Sequence, residues 1–202
     1  LWLQSPHAVL DAGLDQRMVV VDVETTGLDV RRDDLLAIGA VSIEAGSLKL
    51  ADSYSDLLVP DQTPTPHNLL VHRLTPQRLR NAVLPSHALA DFLTFVDAAP
   101  LLAYHAPFDA AVLRRAVIKA EHRLIRPVWL DVAEWALMLA PVLRPRMPSL
   151  DDWLAHFGIP GMERPDAPAD ATATARPALH PHGLTLKPCS FFNFYQSTYI
   201  TS

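Results

Sequence analysis

The chain has 202 residues, 50% of them hydrophobic and 19% charged, which suits one compact domain with a substantial core and excludes a disordered acidic chain. The net charge of −5 excludes a protein that holds nucleic acid by overall positive charge, so contact with phosphate would need basic patches or bound cations. No apolar run reaches ~18 residues, so no membrane span is expected; the opening LWLQSPHAVL lacks the charged start and long apolar stretch of a secretory signal, and the lone Cys189 excludes an internal disulfide framework and fits a reducing, cytoplasmic setting.

In chain order, MVVVDVET (18–25) reads as a central strand, with Gly27 in the turn that follows. DLLAIGAVSIEA (34–45) is a second strand, Ala45-Gly46-Ser47 its hairpin turn, and SLKLADSYSDLLV (47–59) a third strand with looser alternation. A proline-rich loop over 60–67 precedes a short helix starting at Thr75-Pro76, where Thr caps and Pro suits the first helical position. Helical spacing runs through Leu89, Phe92 and Phe95 (86–99). PLLAYHA (100–106) is a short buried strand and PFDAAVLRRAVIKAEH (107–122) a helix. PVWL (127–130) is a further strand, and 131–140 and 149–158 are helices, the second with capping-box spacing between Ser149 and Asp152 and a stop at Gly158. Strands first, then helices alternating with short strands, predict an α/β layered domain whose mixed sheet has an antiparallel front and parallel additions through right-handed crossovers.

The chain is expected to divide into an N-terminal extension (1–17), a domain over 18–177 and an atypical tail over 178–202. Pro177 stops an alanine-rich helix, and residues 189–202 then hold three of the seven phenylalanines and two of the four tyrosines. That tail reads either as a vector-encoded or frameshifted end or as a partner-binding extension.

Asp22 and Glu24 stand two apart at the end of a valine strand and so face the same way on a regular strand. Such a pair repels itself unless a cation lies between the carboxylates, and hard divalent ions prefer carboxylate oxygens. The spacing is equally that of a strand end with both acids in water. A haloacid-dehalogenase-type site would need a second Asp where Glu24 stands, and an actin-like ATPase a glycine-rich phosphate loop where only Gly27 is present.

VVVDVETTGLD (19–29) resembles the first motif of the DEDD family of 3′–5′ exonucleases, which includes polymerase proofreading subunits and ribonuclease T. The likeness recurs in order. VHRLTPQRL (71–79) is similar to the family's His-Gly-Ile-Thr segment with Arg73 for Gly, and LLAYHAPFDAAVLRRA (101–116) to the second motif, His-Asn-x-x-Phe-Asp before a helix. WLDVAEWALMLAP (129–141) is similar to an Asp-Thr strand–helix step, SLDDWLAHFGIP (149–160) to the helix before the third motif, and ERPDAPADATATA (163–175) to that motif. The resemblance implies a three-layer ribonuclease-H-like fold with a mixed central sheet flanked by helices. It also implies two divalent metal ions, Mg²⁺ or Mn²⁺, held by Asp22, Glu24, Asp109 and Asp170. Asp22 would bridge both ions, Glu24 and Asp170 would complete the first site, and Asp109 would serve the second. Taken alone, Asp109 reads as a helix N-terminal acid satisfied by the helix dipole.

The implied activity is hydrolysis at 3′ ends of single-stranded DNA or RNA with release of mononucleotides, and the implied setting a polymerase or repair assembly. Cations ~3.5–4 Å apart stabilise the attacking and leaving oxygens and acidify water, and they reverse the local field of an acidic protein. Family likeness also assigns the 3′-terminal nucleotide to Thr25, Thr26, Gly27 and Leu28, with Leu28 as a wedge and His72 and Phe108 packing on sugar or base. Arg73, Arg78, Arg80, Arg114 and Arg115 are available for the backbone, with solvent exposure the ordinary alternative.

One departure stands out. The subgroup with this layout has a histidine five residues before the last aspartate, where this chain has Pro165; a sister subgroup has tyrosine four before, where it has Asp166. Losing a general base costs ~10²–10⁴ in rate. Weak nuclease activity, proton transfer through another histidine (His105, His180 or His182) and a binding module without turnover all follow as readings.

Overall fold

The structure is a computed structural model in which residues 16–61, 80–139, 149–156, 171 and 174 are described. The expected helix after Thr75-Pro76, the stop at Gly158, residues 1–15 of the N-terminal extension and the tail lie outside the described residues, as do His72, Pro165, Asp166 and Asp170.

Strand β1 (Met18–Thr25), β2 (Leu35–Glu44) and β3 (Ser47–Leu57) form an antiparallel meander. Helix α1 (Pro85–Val96) leads to β4 (Leu101–Ala103), α2 (Ala106–Glu121), β5 (Trp129–Asp131), α3 (Val132–Leu139) and α4 (Leu150–His156). The sheet order is β3-β2-β1-β4-β5, with β4 parallel to both β1 and β5. This is the antiparallel front with parallel additions that the element order predicts.

The alternation of β1 sorts its side chains between two cores. Val19, Val21 and Val23 pack with Ile38, Ala40, Leu89, Phe92, Leu113 and Val117, beneath α1 and α2. Met18 and Val20 face the other side, with Val41, Ile43, Leu102, Val132, Trp135 and Ala171. A period-2 strand buried on both faces reads as a continuous valine run for this reason. Each buried valine contributes about 1.5–3 kcal/mol relative to an exposed one, so β1 is firmly anchored in the domain.

Several element ends differ from the sequence reading. The strand expected over 100–106 stops at Ala103, where its last partner in β5 is Asp131. With no ladder beyond that pair, the chain turns at Tyr104 and His105, and His105 takes a left-handed conformation (φ 60°, ψ 48°) ahead of α2. Asp131, expected to open a helix, instead closes β5. β3 ends at Leu57 rather than Val59, and Leu58 forms an isolated parallel bridge to Val83. In the hairpin, Ala45 (φ 46°) and Gly46 (φ 67°) are both left-handed, as a two-residue turn matched to strand twist requires. The capping box forms as expected: Ser149 Oγ accepts from Asp152 N–H at 3.2 Å, and Asp152 Oδ2 accepts from Ser149 N–H at 2.8 Å.

Candidate active site

Strand order reverses at β1, since the chain leaves it toward β2 on one side and returns as β4 on the other. In open α/β sheets the crevice at the carboxyl ends of strands at such a switch point is where ligands bind. Asp22 and Glu24 lie at that end of β1, each half-buried, with the buried Val23 between them. They continue the face of Met18 and Val20. Their partners across the ladder are Gly39 and Ala37, so no bulky side chain from β2 covers the carboxylates. The register shifts just after Glu24, where Thr25 pairs with Leu35. Irregularities of this kind re-aim side chains beside functional sites.

Asp109 arrives from α2. It lies in the first helical turn and is only 4% exposed. Burial pushes its carboxyl up to about 7; its own backbone N–H and that of Val23 oppose the rise, and the charges of Asp131 and Glu24 add to it. The dipole reading of Asp109 holds for position but is outweighed energetically: a helix N-terminus favours a carboxylate by ~0.3–1 kcal/mol, less than this burial takes away. The Val23 N–H ties the start of α2 to the end of β1, so acids from distant parts of the chain meet at one sheet edge.

Asp131 is a member of this group that the sequence reading does not single out. Its Oδ1 accepts the His105 N–H at 3.2 Å and the Ala133 N–H at 2.9 Å. Burial raises its pKa, against the backbone N–H of Ala133 and the charge of His105. The signal is present in the sequence, since Asp131 closes a short strand much as Asp22 and Glu24 stand near the end of β1, but the same residue also reads as a helix start. His105 is exposed, with its ring edge-on to Tyr104 at 4.5 Å.

Among the other predicted residues, Leu28 stands 87% exposed, whereas Thr25 is buried and Phe108 is half-buried against the α1/α2 core. Both threonine hydroxyls donate within the loop, Thr25 Oγ1 to Gly27 O at 2.6 Å and Thr26 Oγ1 to Asp33 Oδ1 at 3.1 Å.

The charges of Glu24 and Asp131 reach Asp109; carboxylates are hard oxygen donors, and a divalent cation bound by them would relieve that mutual charge. Among the described residues, which include Asp22, Glu24, Asp109 and Asp131, no group of three or more His, Cys, Asp or Glu that could hold a metal ion is found; Asp170 lies outside the described residues. Its neighbour Ala171 is fully buried in the core on the face that Asp22 and Glu24 extend. A cavity of about 650 Å³ between α1, α2 and the segment before β5, lined by Phe92, Arg114, Arg126 and Trp129, contains none of these acids. Among the described residues no helix is long and apolar enough to cross a membrane.

Fold and strand-end acids together define a ribonuclease-H-like domain. Solved structures of the zinc-bound E. coli exonuclease I–single-stranded DNA complex and of exonuclease I from Methylocaldum szegediense superpose with TM-scores of 0.69 and 0.67 at 21% and 20% identity. Each covers 90% of this chain and 43% of the other, and the likeness is one of fold. The sequence model of a family described as Exonuclease (RNase_T) matches residues 19–177. The chain belongs to the DEDD 3′–5′ exonuclease family, whose members generally use divalent metal ions.

Among curated relatives, a PolC-type DNA polymerase III of Thermotoga maritima is 30% identical over 80% of this chain and 12% of its own length. A DNA polymerase III subunit epsilon-like protein of Rhodobacter capsulatus is 31% identical over 88% of this chain and 26% of its length. The epsilon subunit of Treponema pallidum is 25% identical over 68% and 63%. The chain thus spans about an eighth of the PolC-type relative and a quarter of the epsilon-like one.

Proposed function

We propose that the domain, over about residues 18–177, is a metal-dependent 3′–5′ exonuclease that hydrolyses single-stranded DNA or RNA from its 3′ end and releases 5′-mononucleotides. The observation that carries this reading is the meeting of Glu24 and Asp109, from β1 and α2, at the carboxyl edge of the sheet. Asp22, Glu24, Asp109 and Asp170 would hold two Mg²⁺ or Mn²⁺ ions. Bound there, the ions supply stabilisation of the negative charge that builds on the phosphodiester oxygens and make water more acidic.

The chain's own residues supply placement. The doubly buried β1 holds Asp22 and Glu24 as rigid mounts, and rigid elements position ligands more accurately than loops. The Val23 N–H orients Asp109. Leu28 meets the terminal base, with Thr25, Thr26 and Gly27 beside the sugar end and His72 and Phe108 packing on sugar or base. The family's proton acceptor is missing at Pro165 and Asp166. The exposed His105, whose backbone N–H donates to Asp131 and whose charge acts on that carboxylate, is an imidazole beside the acids, and turnover through it is expected to be slow.

Pro165 also favours a second reading, a nucleic-acid-binding module of a polymerase or repair assembly that does not cut. A 5′-labelled oligonucleotide separates them. Shortening from the 3′ end with Mg²⁺ or Mn²⁺, lost in Asp22→Ala, supports the nuclease. Retention of the intact oligonucleotide supports the module.

A further inference from the structure

The loop from Thr26 to Asp34 is built around one carboxylate and held by one guanidinium. Asp33 accepts the Thr26 hydroxyl at Oδ1 (3.1 Å) and the Asp29 N–H at Oδ2 (2.7 Å). Its carboxylate lies against Gly27 so closely that a Cβ there would come within 2.6 Å of Oδ2. Thr26 Oγ1 in turn accepts the Asp34 N–H at 2.9 Å, and Thr26 N–H donates to Asp34 O at 3.0 Å. From α2, Arg115 donates to Arg31 O at 2.7 Å and to Asp33 O, with the buried Asp34 carboxylate 4.0 Å away. Val30 packs into the α1/α2 core. The same helix presents Asp109, so one rigid element fixes both the acid cluster and this loop.

What the scaffold holds out is Leu28, 87% exposed. An isolated exposed leucine means little. One at the tip of a loop fastened at Thr26, Asp29, Arg31 and Asp33 is a presented group, kept from collapsing inward. We propose that Arg115 and Asp33 are positioning residues that set the reach of Leu28 to the 3′-terminal nucleotide, so that they govern substrate grip and leave the acid cluster unchanged. This rests on the exonuclease reading above. A guanidinium serves two carbonyls in one plane, which an ammonium cannot reproduce, so Arg115→Lys is expected to recover only part of the effect.

The test uses the full chain with Arg115→Ala, Arg115→Lys, Asp33→Asn, Leu28→Ala and the Arg115→Ala/Leu28→Ala double variant. Native-state trypsin cleavage after the exposed Arg31 and Arg32 reports on the loop independently of any nuclease activity. Cleavage in Arg115→Ala should accelerate about tenfold or more, with Asp33→Asn, which keeps one acceptor oxygen, and Arg115→Lys intermediate. For 5′-labelled single-stranded DNA, Arg115→Ala should raise KM about tenfold with kcat within about twofold and an unchanged Mn²⁺ dependence. The double variant should be no worse than the worse single one, because both act through one contact. Unchanged trypsin sensitivity overturns the brace. Faster cleavage with KM unmoved, or additive KM effects, overturns its role toward Leu28. If the wild-type chain neither shortens nor binds the oligonucleotide, the exonuclease reading and the positioning role fail together, while the trypsin result still decides whether the brace exists.

Discussion

Asp109→Asn exchanges a buried carboxylate for a neutral side chain of the same shape. The carboxyl is 4% exposed and its pKa rises from 3.8 to about 7, chiefly by burial. Between those values the folded protein binds a proton that the unfolded chain has released. Stability is therefore greatest below the unfolded pKa and falls as pH rises toward 7. A rise of that size corresponds to ~4 kcal/mol of stability lost by the time the pH has passed the folded-state value. Asparagine removes this loss and keeps an acceptor oxygen for one of the two backbone N–H groups. Urea unfolding in EDTA at pH 4 and pH 8.5 measures it. The variant should be more stable than the wild type by ~2–4 kcal/mol at pH 8.5, with a Tm higher by on the order of 10 °C, and close to it at pH 4. It should also lose metal-dependent hydrolysis, since stability gained at a functional carboxylate comes with lost function. Equal stability at pH 8.5 would refute the claim that this carboxylate is held against its charge.

Further outcomes are open to measurement. Asp22→Ala should reduce divalent-metal-dependent shortening of a 5′-labelled oligonucleotide at least ~10²-fold, read on a sequencing gel, while the fold survives by circular dichroism. Pro165→His should raise turnover with Mg²⁺ by ~10²–10⁴ if that position is the family's base position; no gain would mean that another group takes the proton. Asp131→Ala removes the acceptor for the His105 and Ala133 N–H groups and should cost ~1–3 kcal/mol in urea unfolding, with Asp131→Asn recovering much of it. Gly27→Ala drives a Cβ into the Asp33 carboxylate and should destabilise the chain by ~1–3 kcal/mol in the same measurement.

How much of this is legible in the sequence depends on whether the cause is local. β1 is readable to the residue, because three valines buried on both faces leave an unbroken apolar run ahead of the acids. The ends of β4 and β5 are not. They are set by where the Ala103–Asp131 pair ends the ladder, a long-range fact that leaves Tyr104 and His105 looking like more strand. The acids at Asp22, Glu24 and Asp109 emerge through motif order rather than through their own surroundings, and Asp109 alone has an ordinary helix-cap explanation. Asp131 escapes notice because a strand-ending aspartate and a helix-starting one share the same neighbours in sequence. Arg115 reads as a surface cation. Its hold on the carbonyls of Arg31 and Asp33 joins segments far apart in the chain, and no local pattern encodes such a contact.

The central claim, that acids gathered at the carboxyl ends of the parallel strands form a divalent-metal centre, is tested most directly by anomalous scattering from a crystal grown with Mn²⁺. The account predicts manganese peaks among Asp22, Glu24, Asp109 and Asp170. Ordered carboxylates at those positions with no manganese between them, or manganese bound only elsewhere, would contradict it.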